Sequence, residues 1–149
     1  MKKRTLAREI ALQALYQHDL HKKREAAAQG APPAIAVTSG DLEAFINGQT
    51  DDPEVRAYAR RLVDGAIVRG PEIDGRIEGA VRHWKLSRLA PVDRSVLRLG
   101  IFELLECSEV PPKVVINEAI DLAKKFSTEQ SGAFVNGILD RIYTEIGKK

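Results

Sequence analysis

The stretch PVDRSVLRLGIFELLE, residues 91–106, decides the fold class. Pro91 suits the first position of a helix, where a missing N–H leaves no carbonyl without its partner. After it, Val92, Val96, Leu97, Leu99, Ile101, Phe102, Leu104 and Leu105 fall almost all round a 3.6-residue period. An amphipathic surface helix carries one apolar stripe; a helix apolar on nearly every side has to be surrounded. The segment is therefore predicted to be a central, mostly buried helix, and the neighbouring segments supply its cover.

Downstream, Pro111-Pro112 ends that segment. Val115, Ile116, Ala119, Ile120, Leu122, Ala123 and Phe126 then form a broad helical stripe. Ser127 and Gln130 fit a capping box, with serine at the N-cap and glutamine three residues on. The last helix carries Phe134, Val135, Ile138, Leu139, Ile142 and Ile146. Upstream, Gly70-Pro71 punctuates two helices, the second carrying Ile73, Ile77, Ala80, Val81 and Trp84. Before it, Asp52-Pro53-Glu54 reads as an N-cap, a first-turn proline and a first-turn acid. That helix is predicted to reach about residue 69. A short helix is expected over 41–47, and residues 25–40, with Pro32, Pro33 and Gly40, read as a loop. The first helix is expected over 5–23, with Ile10, Ala14 and Gln17 stacked on one side. Strand signals are nearly absent and no repeat of 20–50 residues occurs. The expectation is an all-α, compact bundle of about six or seven helices in two packed halves, forming one domain over 1–149.

Composition excludes several classes. Hydrophobic residues at 44% and charged residues at 30% are enough for a globular core, so a wholly disordered chain is not expected. The single cysteine, Cys107, rules out an internal disulfide and fits a reducing cytoplasm. No apolar run reaches membrane-span length. The net charge is only +2, but its distribution is uneven. Lys2, Lys3, Arg4, Arg8, Lys22, Lys23 and Arg24 face only Glu9 and Asp19 in the first 24 residues. A basic end on a slightly acidic body points to an anionic partner; a solvated lysine-rich terminus is the plain alternative.

Catalytic patterns are missing. No phosphate loop, dinucleotide fingerprint or nucleophile elbow occurs. His18 and His21 share a helix face but lack the companions of a metal site, so no metal and no cofactor are expected. Glu103, Glu106 and Glu109 read as a solvated face rather than as a general acid. Binding residues are easier to find. Arg4 and Arg8 lie one turn apart, Lys2 and Lys3 precede them, and Tyr16 lies two turns beyond. Guanidinium groups on a rigid helix can grip phosphate oxygens, and an aromatic ring can stack on an unpaired base. Packing in the core is the competing role for Tyr16. The start of the last helix offers free N–H groups to an anion beside Gln130 and Phe134. For Phe134 too, simple core packing is the alternative.

Taken together, AREIALQALYQ (7–17), DRSVLRLGIFEL (93–104), VPPKVVINEAIDLAKKF (110–126) and FVNGILD (134–140) resemble the NusB family of transcription antitermination factors in order and spacing. Residues 25–90 match in helical pattern only. The resemblance implies an all-α fold and no enzymatic activity. It implies binding of boxA-type RNA in ribosomal RNA transcripts, together with NusE, a small-subunit ribosomal protein, in the RNA polymerase antitermination complex. It places RNA contacts at Lys2, Lys3, Arg4 and Arg8, with Gln13 and Tyr16 further along, and a second patch at Gln130 and Phe134. It places Asp93 and Arg94 on the NusE-facing surface. Thr5 and Leu6 stand where other members carry more arginine, which predicts a shallower salt dependence of RNA binding.

Two other readings stay open at this point. A similar helical domain precedes the catalytic domain of some ribosomal RNA cytosine methyltransferases; that reading requires a Rossmann-like domain after Lys149. A module that binds only protein would leave RNA retention insensitive to Arg4 and Arg8. A homodimer through the RNA-facing surface is neither favoured nor excluded by any residue.

Overall fold

The computed structural model describes residues 2–27, 39–81 and 89–147, with side chains described for 3–20, 40–81 and 89–147. Seven helices run α1 (Lys2–Ala27), α2 (Ser39–Gln49), α3 (Pro53–Val68), α4 (Gly70–Ala80), α5 (Pro91–Glu106), α6 (Pro112–Phe126) and α7 (Glu129–Gly147). No strand occurs among the described residues. The all-α expectation holds. Two compact units can be distinguished, Met1–Val63 and Asp64–Lys149, with the division inside α3. Trp84 and His83, and most of the expected loop at 25–40, lie outside the described residues; positions 25–27 still belong to α1 and 39–40 to α2.

In the first unit α1 packs on α2. Ala7, Ile10, Ala11, Leu12, Ala14 and Leu15 are buried along α1, while Gln17, expected on that stacked side, is exposed. From α2, Leu42 and Ile46 are buried, one turn apart. The turn into α3 is held as its sequence foretold. The Glu54 N–H donates to Asp52 Oδ1 at 2.9 Å, so Asp52 caps the helix that Pro53 begins. Arg56 secures the same turn from behind. Its guanidinium donates to the Asn47 and Thr50 carbonyls at 2.8 and 2.6 Å. The first of these satisfies a carbonyl left over at the end of α2.

The second unit is built round α5, which packs against α4, α6 and α7. Val96, Leu97, Leu99, Ile101 and Phe102 are all 5% exposed or less. Burial of five such side chains contributes on the order of 10 kcal/mol before chain entropy is subtracted, an upper bound because unfolded chains already bury some surface. The three covering helices bring regular ladders: Ile73 and Ile77 from α4, Val115, Ala119 and Leu122 from α6, Val135, Leu139 and Ile142 from α7. Polar ties fix the order of α4 and α5. Arg98 grips Asp74 with two parallel bonds of 2.8 and 3.0 Å. Arg69 binds both oxygens of Glu72 and also reaches Glu106. The Glu72 carboxyl is accordingly held below the usual carboxylate range, chiefly by its bond from Arg69. Arg141 on α7 donates to the last carbonyl of α4, at Ala80.

Two boundaries differ from the sequence expectation. Pro112 does not end a segment; it begins α6, with Pro111 as the N-cap. The cap of α7 is Thr128 rather than Ser127. The Ser127 N–H still donates to Ala123, so Ser127 closes α6. Thr128 Oγ1 accepts the Ser131 N–H at 3.1 Å, which moves Gln130 out of the capping-box position.

Close helix approach depends on two glycines. A Cβ on Gly100 would stand 3.0 Å from Leu139 Cδ1. A Cβ on Gly65 would fall within the ring of Phe102, which is itself 5% exposed. Gly65→Ala should therefore destabilise by up to about 2 kcal/mol, an overpacking cost of about 1–3 kcal/mol outweighing the gain in helix propensity of about 1 kcal/mol. Gly75→Ala, on an exposed helical site with open space round it, should stabilise by about 0.5–1 kcal/mol. Paired thermal and denaturant unfolding should give shifts of opposite sign; equal shifts would refute the packing account of Gly65.

Candidate nucleic-acid interface

The basic end folds into a definite arrangement. Lys3 on α1 is 3.2 Å from Asp52 and 3.4 Å from Glu54, both at the start of α3. The next residue, Arg4, and Arg8 one turn beyond it approach the ring of Tyr58, with guanidinium carbons 5.0 and 5.9 Å from its centre. Arg61, one turn after Tyr58 on α3, lies 5.9 Å from the same centre. A π-face attracts cations through its quadrupole, so the ring gathers three guanidinium groups that would otherwise repel. Lys3, Arg4, Glu54, Ala57, Tyr58 and Arg61 line an open recess of about 360 Å³.

Two carboxylates share Lys3. The bonds to Asp52, then to Glu54, raise the Lys3 ammonium above the ordinary lysine value. The bond from Lys3 lowers the Asp52 carboxyl, outweighing the opposite effect of burial. A raised lysine and a lowered carboxyl are both charged across the neutral range. The pair is lost in acid as pH falls through the lowered Asp52 value, and in base as it rises through the raised Lys3 value.

The second unit carries a separate recess of about 280 Å³, lined by Leu89, Ala90, Asp93, Thr128, Gln130, Ser131 and Phe134. Its floor is a hydroxyl cluster. Ser131 Oγ donates to Asp93 Oδ2 at 3.1 Å and stands 3.0 Å from both Ser127 Oγ and Thr128 Oγ1. A hydroxyl has one proton, so with that proton on the carboxylate Ser131 can only accept from its neighbours. The other Asp93 oxygen, Oδ1, is buried without a hydrogen-bond partner. Gln130 is exposed at the rim and Phe134 half-buried.

The NusB family model matches residues 5–144 of this chain. The chain belongs to the NusB family. It is 40% identical over 149 residues to the transcription antitermination protein NusB of Syntrophus aciditrophicus, covering all of this chain and 84% of the relative. NusB of T. maritima superposes with a TM-score of 0.77 at 36% identity, over 97% of this chain and 92% of that one. A crystal structure of the antitermination factors NusB and NusE in complex with dsRNA gives a TM-score of 0.78 at 32% identity, over 97% and 98% of the two chains.

Against this NusB-family frame, the expected site residues sort unevenly. Lys3 and Arg4 line the first recess, and Gln130 and Phe134 line the second. Lys2 lies outside the residues whose side chains are described. Gln13 and Tyr16 are half-buried and line neither recess. Arg8, expected as an exposed phosphate grip beside Arg4, is only 2% exposed. Its guanidinium belongs to the packing round Tyr58. The pair expected to face NusE is split. Asp93 lines the second recess, whereas Arg94 is 2% exposed and donates to the Leu89 carbonyl at 3.1 Å. Tyr58 and Arg61 were missed by the sequence reading. Their signal was present in VRAYARRL, residues 55–62, where an aromatic and an arginine three apart share a helix face.

The division between Arg4 and Arg8 can be measured. Arg8→Ala should cost about 1–3 kcal/mol of folding stability, as loss of a large buried side chain packed on a ring does. Arg4→Ala, half-buried at the recess, should stay within about 0.5 kcal/mol of the parent. Chemical denaturation distinguishes them; equal losses would place both side chains in one role. Asp52→Asn retains a good N-cap but removes the charge, so the Lys3 ammonium should titrate lower in NMR while α3 stays helical. An unmoved Lys3 titration would show that the ion pair does not form in solution.

Proposed function

We propose that this chain is a non-catalytic transcription antitermination factor of the cytoplasm that binds boxA-type RNA together with NusE. The observation that carries the reading is the gathering of Arg4 and Arg61 round Tyr58, on an open recess between α1 and α3 that Lys3 also lines. Single-stranded RNA presents phosphates at regular spacing and bases free to stack, and a basic groove with an aromatic ring meets both. Support comes from relatives named transcription antitermination protein NusB and from the superposition on a factor crystallised with NusE and dsRNA.

In this reading Lys2, Lys3 and Arg4 supply phosphate contacts, with Arg8 supporting them from beneath. Gln13 and Tyr16 extend the surface along α1. Gln130 and Phe134 give the second unit its own contact. Phe134 offers a ring edge and Gln130 an amide that can donate to and accept from a base. Asp93, held by Ser131, belongs to the NusE-facing surface, and buried Arg94 supports it by fixing Leu89. Two contacts on one RNA reinforce each other through effective concentration, so neither has to be tight by itself. Among the described residues no group of three or more His, Cys, Asp or Glu side chains could hold a metal ion, and no helix is long and apolar enough to cross a membrane.

The test is a titration of boxA-like and scrambled RNA against the full chain, with and without NusE, at low and moderate salt. BoxA should bind more tightly than the scrambled sequence, most clearly with NusE present. Lys3→Gln with Arg4→Gln should weaken binding to both RNAs and make the salt dependence shallower by about 0.7 for each phosphate contact removed. Unchanged binding by the double variant in the NusE complex would overturn the proposal.

A further inference from the structure

We infer that α3 contributes a phosphate subsite to the RNA surface, with Arg61 as its direct contact and Tyr58 as the positioning residue that holds Arg61 beside Arg4. The inference rests on the RNA-binding reading above and extends the contact surface to a second helix.

Three observations lead to it. First, the guanidinium carbons of Arg4, Arg8 and Arg61 lie 5.0, 5.9 and 5.9 Å from one ring centre. No two of them are then farther apart than about 12 Å, the sum of the two longer distances, so one ring gathers cations from both helices. Second, their exposures differ. Arg8 is buried, whereas Arg61 is exposed and lines the recess with Arg4. The accessible pair therefore bridges α1 and α3, although the sequence pattern alone puts it on α1. Third, the recess that Arg4 and Arg61 line also holds Lys3, which lies 3.4 Å from Glu54. A phosphate arriving between Arg4 and Arg61 meets two fork-shaped donors whose planes suit paired bonds to its oxygens.

Tyr58 acts through the arginines. The three cations approach its ring, so phenylalanine should serve as well and leucine should not. Its role is to hold like charges at fixed spacing before the anion arrives. That preorganisation reduces what RNA binding has to order.

The experiment is fluorescence anisotropy of a boxA-like single-stranded RNA with the full chain and NusE, over roughly 50–200 mM salt. The variants are Arg61→Gln, Tyr58→Phe, Tyr58→Leu and Arg4→Gln. Arg60→Gln is the control, an exposed cation on the same helix that pairs with Glu43 at 3.1 Å and does not line the recess. Arg61→Gln should weaken binding about three- to tenfold and make the salt slope shallower by about 0.7, while Arg60→Gln changes neither by a comparable amount. Tyr58→Phe should bind as the parent and Tyr58→Leu should bind less well. Thermal melts run alongside; should Tyr58→Leu unfold, Arg61→Gln, on an exposed side chain, still carries the test. If Arg61→Gln matches Arg60→Gln while Arg4→Gln still weakens binding, the subsite is overturned and the RNA reading survives. If Arg4→Gln is also without effect, both fall. A folded Tyr58→Leu that binds as the parent would overturn the positioning role.

Discussion

A helix with apolar residues on nearly every side cannot leave a face in water, and α5 is such a helix. Its environment is prescribed by that one fact. α4, α6 and α7 each bring a ladder of buried side chains to it, and close approach is permitted by Gly65 against Phe102 and Gly100 against Leu139. The polar ties in this unit are peripheral to that packing. Arg98–Asp74 and Arg69–Glu72–Glu106 fix which side of α5 meets α4, a question that non-directional hydrophobic burial leaves open. Because the cover is supplied by helix ends as well as helix bodies, the first turn of α7 lies beside the first turn of α5. That is what brings Gln130, Ser131 and Phe134 to Asp93.

The functional end of the chain follows a different rule. There the task is to collect positive charge without neutralising all of it. Two devices do so within a few residues. Carboxylates at the start of α3 hold Lys3 as an ion pair, and an aromatic ring holds arginines by its face. A ring attracts a cation without carrying a countercharge, whereas a carboxylate brings one with it. A carboxylate in place of Tyr58 would hold them as firmly and cancel their field.

Much of this was legible in the sequence. The burial of α5, the cap and proline at the start of α3 and the apolar ladders of α6 and α7 are all consequences of local spacing. Misreadings came where two neighbouring residues could play one part. Ser127 and Thr128 both suit a cap, and only the continued bond from Ser127 to Ala123 decides between them. Pro111 and Pro112 both suit a break, and the second turned out to be a beginning. For the candidate site, Lys3 and Arg4 were legible because they cluster in sequence. Tyr58 and Arg61 were not, since they meet Arg4 across a separation of more than fifty residues, and a periodicity argument carries no information about partners so distant. Burial was the other blind spot. Arg8, Arg94 and Glu103, the last expected on a solvated face, have the chemistry of surface groups, and their 2% exposure reflects tertiary surroundings that the local pattern does not encode.

Asp52 has two allegiances, to the amide of Glu54 and to the ammonium of Lys3. The peptide groups of α3 sum to a partial positive charge at that helix start, which favours an anion there with or without a lysine nearby. Were Lys3 to move to another anion, the carboxylate it left would not be stranded; the helix itself would serve as a reserve counter-ion. Asp52 is thus held from two sides, and separation of the ion pair would leave it with one counter-charge rather than none.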